Sequence, residues 1–240
     1  MSNRLLIILL VALTAVMLVA LAPVTLLTDK LSNGAAVRVS EASGTVWGGK
    51  VRLTTAQGRG LGTFKVSLSP WALLTGEARV RATDKASARS GVIRNGKDKG
   101  VERLNGLVAV ELEGLSGRVE LENLAVLFRD GQCQRAEGQI RFRPASDPLF
   151  GKTTFAGTPA CIGGDWVTRL TPVNGGGATA MTLRIDGAGR LQAEITMAIA
   201  DPVMVQAALD QGFVKDAAGV RRIVTVPLLP SARQQRVQGA

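Results

Sequence analysis

From residue 64 onward, apolar and polar side chains repeatedly alternate. Phe64, Val66 and Leu68 alternate with Lys65 and Ser67, and Ala78, Val80 and Ala82 with Arg79 and Arg81. Val108, Val110 and Leu112 alternate with Ala109 and Glu111, Val119 and Leu121 flank Glu120, and Ile140 and Phe142 alternate with Arg141 and Arg143. Successive side chains of a strand point to opposite faces, so each run predicts a strand with one greasy and one charged face. This is the pattern of antiparallel sheet whose second face is wetted or covered by something else. The clearest hairpin is "MTLRIDGAGRLQAEITMAI", residues 181–199, in which Asp186-Gly187-Ala188-Gly189 supplies the tight turn. Asp130-Gly131 predicts a second turn, with Cys133 at the start of the return strand, and Val220 to Val226 a last strand.

Two short helices interrupt this pattern. "SPWALLTG", residues 69–76, offers Ser69 as cap, Pro70 at the first helical position and Gly76 as stop, with Trp71 and Leu74 on one face turned to the apolar side. "DPVMVQAALDQG", residues 201–212, repeats the arrangement with Asp201, Pro202 and Gly212. The stretch 84–100, "DKASARSGVIRNGKDKG", carries no clear period and is expected as a long polar loop.

The N-terminus breaks the period altogether. Leu5 to Leu27 is 23 residues without a charge, with only Thr14 and Thr25 polar. About 20 such residues cross a bilayer core. Arg4 on the near side favours a cytoplasmic N-terminus. The competing reading is a cleaved signal peptide, since Ala20, Leu21 and Ala22 fit a small-x-small site; Pro23 just after the cut and the length of the run argue against it. The expected organisation is therefore residues 1–4 in the cytoplasm, a transmembrane helix over 5–27, a periplasmic domain over 28–226 and a frayed tail over 227–240. The domain is mainly β, a twisted antiparallel sheet with two short helices.

Composition narrows the chemistry. The 240 residues contain no His, which removes the usual general base and the commonest zinc ligand. Paired carboxylates such as Glu111 and Glu113, or Glu120 and Glu122, sit two apart on strands, as a solvated sheet face requires. "QGRGLG", residues 57–62, lacks the Lys-Ser/Thr of a phosphate-binding loop. No enzyme, cofactor or metal site is expected. Cys133 and Cys161 are the only cysteines, and in an oxidising compartment they would form one disulfide worth about 3 kcal/mol; in the other reading both remain buried thiols.

The formal net charge of +10 suits nucleic acid, anionic lipid or an acidic protein. A location outside the cytoplasm demotes nucleic acid. The excess is either a solvated outer face or a means of holding the domain against lipid headgroups or acidic partners, and the basic side chains of 84–100 are the best candidates for such contact.

Taken in order, several segments resemble the type II secretion system protein N family. They are the N-terminal apolar run, "SGTVWGG" at 43–49, "SLSPWALLTGEARV" at 67–80 and "LNGLVAVELEGLSGRVELENL" at 104–124. "CQRAEGQIRF" at 133–142, "GTPACIGGDW" at 157–166 and "LRIDGAGRLQAEITM" at 183–197 follow. The resemblance implies a non-enzymatic, single-pass inner-membrane component of the type II protein secretion machinery of Gram-negative bacteria. Its neighbours would be the platform proteins and the component that links the platform to the outer-membrane secretin. Candidate partner or lipid contacts are Trp47, Trp71, Lys85, Arg89, Arg94, Lys97 and Lys99, although Trp47, Trp71 and Trp166 are each expected first as plugs of the sheet, the glycines around Trp47 letting the backbone turn and pack closely. The second functional reading, from a different class, is a curved sheet whose greasy inner face holds acyl chains as a lipid-binding or lipid-transfer groove.

Overall fold

A computed structural model describes residues 21–25, 37–55, 58, 60–112, 115–145, 150, 153–174 and 179–227. The apolar run upstream of Leu21, residues 26–27, the glycine run 175–177 and the tail beyond Pro227 lie outside the described residues. Among the described residues, no helix is long and apolar enough to cross a membrane.

The domain is one antiparallel sheet threaded almost entirely in chain order. Strands β1 (Val37–Thr45), β2 (Gly48–Thr55), β3 (Gly60–Leu68), β4 (Ala78–Asp84), β5 (Arg89–Asn95), β6 (Lys99–Leu112), β7 (Leu115–Arg129), β8 (Gln132–Pro144) and β9 (Phe155–Gly157) are each hydrogen-bonded to the next. β11 (Asp165–Pro172), β12 (Thr179–Ile185), β13 (Arg190–Met197), β15 (Gly219–Pro227) and β14 (Val214–Asp216) complete the sheet. β10 (Pro159–Ile162) follows β9 and pairs with the other part of β11. Helix α1 (Pro70–Leu74) joins β3 to β4, and α2 (Pro202–Asp210) lies between β13 and β14.

The hairpin predicted within 181–199 forms, between β12 and β13. Met181 faces Ile195, Leu183 faces Ala193 and Ile185 faces Leu191. Asp186 sets the turn by accepting from the backbone amides of Ala188 at 3.0 Å and Arg190 at 2.9 Å. The Asp130-Gly131 turn also forms, and Cys133 lies on the return strand β8.

The stretch 84–100 is a correction. It is β5, closed by two tight turns and paired on both sides: Val80 faces Ile93, which in turn faces Val101. Its alternation is hidden because a bulge between Ser90 and Val92 shifts the register, leaving Val92 and Ile93 adjacent in sequence on opposite faces.

Directly opposed residues share a face, so the pairing traces one apolar face across the sheet. It runs from Val51 and Phe64, through Val66 and Ala82, and through Leu68, Val80, Ile93, Val101 and Val126. Further on it reaches Val108, Val119, Phe142 and Phe155. Only beyond β6 is this face fully covered. The buried cluster joins Leu124, Val126, Ile140, Phe142, Phe155, Trp166, Leu170, Met181, Ile195 and Val220, and Ala208 of α2 and Phe213 are part of it. Helix α2 is held there by its Asp201 cap, which accepts from the Val203 amide at 2.9 Å, and by Pro202 at its first turn. In the register between β6 and β7, shifts flank Leu104, and β7 shifts again against β8 between Glu122 and Ala125. Arg103 and Asn123 adopt positive φ at these bulges, and bulges of this kind bend a sheet.

Candidate interaction surface

The motif "SGTVWGG" forms the end of the β1–β2 hairpin, and its glycines serve a close approach. Ala22 to Val24, within the apolar run, pack onto this hairpin. Pro23 bridges Thr45, the Val24 amide donates to the Gly44 carbonyl at 3.1 Å, and the Val46 amide donates to the Ala22 carbonyl at 2.9 Å. Val24 is 1% exposed. A methyl group on Gly49 would stand 2.9 Å from Val24 Cγ2 and 3.0 Å from the Thr45 carbonyl oxygen, so only glycine admits Val24 here. Gly44, at φ +92°, turns the strand end. Trp47, in the two-residue turn itself, is half-buried.

The same end of the sheet carries α1. The Leu68 amide donates to the Val46 carbonyl at 2.9 Å, so Ala22, Val46 and Leu68 are successive rungs of one ladder, and α1 starts two residues later. Trp71 does not plug the sheet. It is 78% exposed, as is Leu74, and no residue of α1 is buried. One turn of helix spanning a strand-to-strand connection has no length over which to lay a face on the sheet. Trp166, by contrast, is 2% exposed and packs in the core as expected.

The basic side chains of 84–100 do not form one patch. Lys85 and Arg89 stand at the β4–β5 turn, whereas Arg94, Lys97 and Lys99 stand at the opposite end of β5. Two of them are already occupied. Arg94 hydrogen-bonds Glu77 at 2.8 Å and Glu102 at 3.0 Å, with Asp98 at 3.8 Å, while Arg129 reaches Asp98 at 2.8 Å. The Arg129 hydrogen bond, seconded by its charge and that of Arg94, holds the Asp98 carboxyl below its ordinary value. Arg89 pairs with Asp84 at 2.9 Å, donates to the Leu61 carbonyl and lies over the Phe64 ring at 5.2 Å. Asp84 is nearly buried on the apolar face, and the Ser87 hydroxyl, then Arg89 and the Ala86 amide, hold its carboxyl below the usual value against the effect of burial. Lys85, Lys97 and Lys99 remain exposed.

Other basic side chains, near α1, escaped sequence reasoning. Lys50 on β2 is directly opposite Lys65 on β3, and Ser67 is opposite Arg81. Like charges face to face across a pair of strands are unfavourable unless an anion lies near. Arg79 and Arg81 line a shallow depression with Ser67, Ser69, Glu102 and Arg103. The signal was in the sequence: Lys50 and Lys65 each lie between apolar alternating positions, so their opposition needed only the register.

Cys133 and Cys161 form a disulfide with Cα atoms 5.5 Å apart. It ties β10 to β8, beside the backbone hydrogen bond from Cys133 to the Gly164 carbonyl at 2.7 Å. Among the described residues, no group of His, Cys, Asp or Glu is placed to hold a metal ion.

The model of the type II secretion system protein N family matches residues 35–224, the whole of this sheet apart from its last residues. The chain belongs to that family. Membership as a protein N places it among the components of type II secretion and brings the other subunits of that system forward as its partners. Comparison with curated proteins and with solved structures gives no match. The protein N domain presents for contact the hairpin that receives Val24 and the exposed turn of α1 next to it.

Proposed function

We propose that this protein is a non-enzymatic, inner-membrane-anchored subunit of the type II secretion machinery, with its sheet in the periplasm and in contact with the platform proteins and the secretin-linking component. The observation that carries this is the family match over nearly the entire sheet, joined to an apolar N-terminal run whose Ala22 to Val24 dock on that sheet. An anchored domain with a fixed exit geometry suits assembly work, because the membrane then sets the orientation in which the sheet meets other subunits. Trp47, Lys97 and Lys99 remain candidate contacts at that end, and Lys85 at the other. The test is export of type II substrates from cells lacking the chain, complemented by the wild type or by a version beginning at residue 21, which keeps the docked Val24, behind a cleavable signal. Loss of export restored only by the anchored form supports the proposal. Equal export from all strains, or both termini accessible on the cytoplasmic side, would remove it.

A second reading rests on the uncovered part of the apolar face. On β3 to β6 that face is roofed by no helix among the described residues, and Ile93 is 42% exposed. A face of this kind could hold acyl chains. Lipid co-purifying with the chain, and lost on Ile93→Asp, would favour that reading; a lipid-free preparation would dismiss it.

A further inference from the structure

We propose that α1 is an interfacial membrane anchor: Trp71, Leu73 and Leu74 enter the headgroup–acyl boundary of the bilayer that the N-terminal apolar run crosses. This rests on the anchored reading of that run and deepens it. The first argument is length. Leu21 already stands in a turn and Ala22 to Val24 dock on the sheet, since Pro23 bridges Thr45 and Val24 is buried against Gly49. The apolar stretch left for the bilayer is Leu5 to Ala20, 16 residues. At about 1.5 Å per residue this is about 24 Å, short of a hydrocarbon core of about 30 Å. A short span draws its flanks toward the lipid, so the end of the sheet at Ala22 must lie against the membrane surface rather than stand away from it.

The second argument is what that end presents. Leu68 is one rung from Val46 and two from Ala22, and α1 projects directly after it. Trp71 and Leu74 are each 78% exposed and Leu73 43%. A Trp with two leucines on one turn, unburied, is the composition favoured at a membrane interface. The third argument is charge. Lys50 and Lys65, opposed across β2 and β3, and Arg79 and Arg81 beside Ser69 are strand residues of the same end. Anionic headgroups would relieve the Lys50–Lys65 opposition.

The test uses the full chain in vesicles of phosphatidylcholine and phosphatidylglycerol, with and without bromine on the acyl chains near the headgroup. The chain has three tryptophans, so W47F/W166F leaves Trp71 as the sole emitter. The expected result is that Trp71 emission shifts to the blue on vesicles and loses its greater part in the brominated ones. If W166F fails to fold, W71F in the otherwise native chain must lose most of the bromine quenching that the wild type shows. A chain that floats with the vesicles while Trp71 emits equally in both overturns the inference alone, leaves the anchored reading standing and hands the tip to a protein partner. A chain that does not float overturns both.

Discussion

The two halves of the sheet use the same alternating pattern to different ends. From β7 onward the apolar face closes on itself, and Phe155, Leu170, Met181 and Ile195 are each 2% exposed or less. From β1 to β6 the same face continues, yet few side chains on it are buried: Val51, Leu68 and Asp84, with Val24 and Val46 packed at the strand ends. Ile195 and Ile93 make the contrast concrete. Both are isoleucines on paired strands, at 2% and 42% exposure. The difference is cover. The C-terminal half has α2, Phe213 and the disulfide-tied β10 around it, while α1, on the N-terminal half, buries none of its residues. Stability therefore belongs to one half, and the surface free for contact to the other.

The sharpest way to break this contrast is to truncate inside the closed half. Phe155→Ala removes a ring that lies 6.4 Å from Phe142 and 6.2 Å from Phe150, centroid to centroid. A loss of about 3–5 kcal/mol is expected from urea unfolding of the full chain in detergent, enough to threaten folding altogether. Replacing both cysteines comes next. Without the bridge that closes the 28-residue separation, unfolding should become easier by about 3 kcal/mol, and reductant should reproduce the effect on the native chain. Gly49→Ala tests the N-terminal half at a tightly packed point. Forcing a methyl against Val24 should cost about 1–3 kcal/mol and free the hairpin end to proteolysis, while the cluster around Phe155 stays protected from hydrogen exchange. Were the exchange of both halves to rise together, the halves would be one cooperative unit.

The sequence disclosed the halves unequally, for physical reasons. The 181–199 hairpin was legible because turn chemistry at Asp186 and strict alternation specify the same register, and a slip by one residue would expose Met181 and Ile195 together. The disulfide was legible because two cysteines allow a single pairing within the chain. β5 was not, because the bulge at Ser90 breaks the period and because its charges are consumed internally by Arg94 and Arg89. A run of charge in sequence looks like a solvated loop whether or not cross-strand partners neutralise it. The outward turn of Trp71 was hidden for another reason: apolar residues in a helix predict burial only if the helix is long enough to own a covered side. The docking of Val24 on Gly49 was hidden because the apolar run reads as continuous, and nothing local marks where its contact with the sheet begins.

Smaller effects sharpen the contrast further. Asp84 has its carboxyl held below 3.8 by Ser87 and Arg89, so its contribution is present above that value and is lost as pH falls through the lower, folded-state value. Asp84→Asn should therefore flatten the acid limb of the unfolding profile below about pH 4 and leave the neutral region lowered but parallel. A native acid limb unchanged by the substitution would mean that the pair with Arg89 is not what holds β4 to β5 at that end.

The least perturbing change is the most informative about cover. Ile93→Ala in the open half should alter stability by less than about 1 kcal/mol, because nearly half of the side chain already meets water and its loss leaves no sealed cavity. Ile195→Ala, made in the same chain and measured in the same denaturant series, should cost about 2–5 kcal/mol. If the two substitutions cost the same, then something covers β3 to β6 in the purified protein. Repeating the Ile93 measurement after exhaustive delipidation separates the two ways this can happen: a bound acyl chain would make the cost fall once it is removed, whereas cover by residues of the chain itself would leave it unchanged.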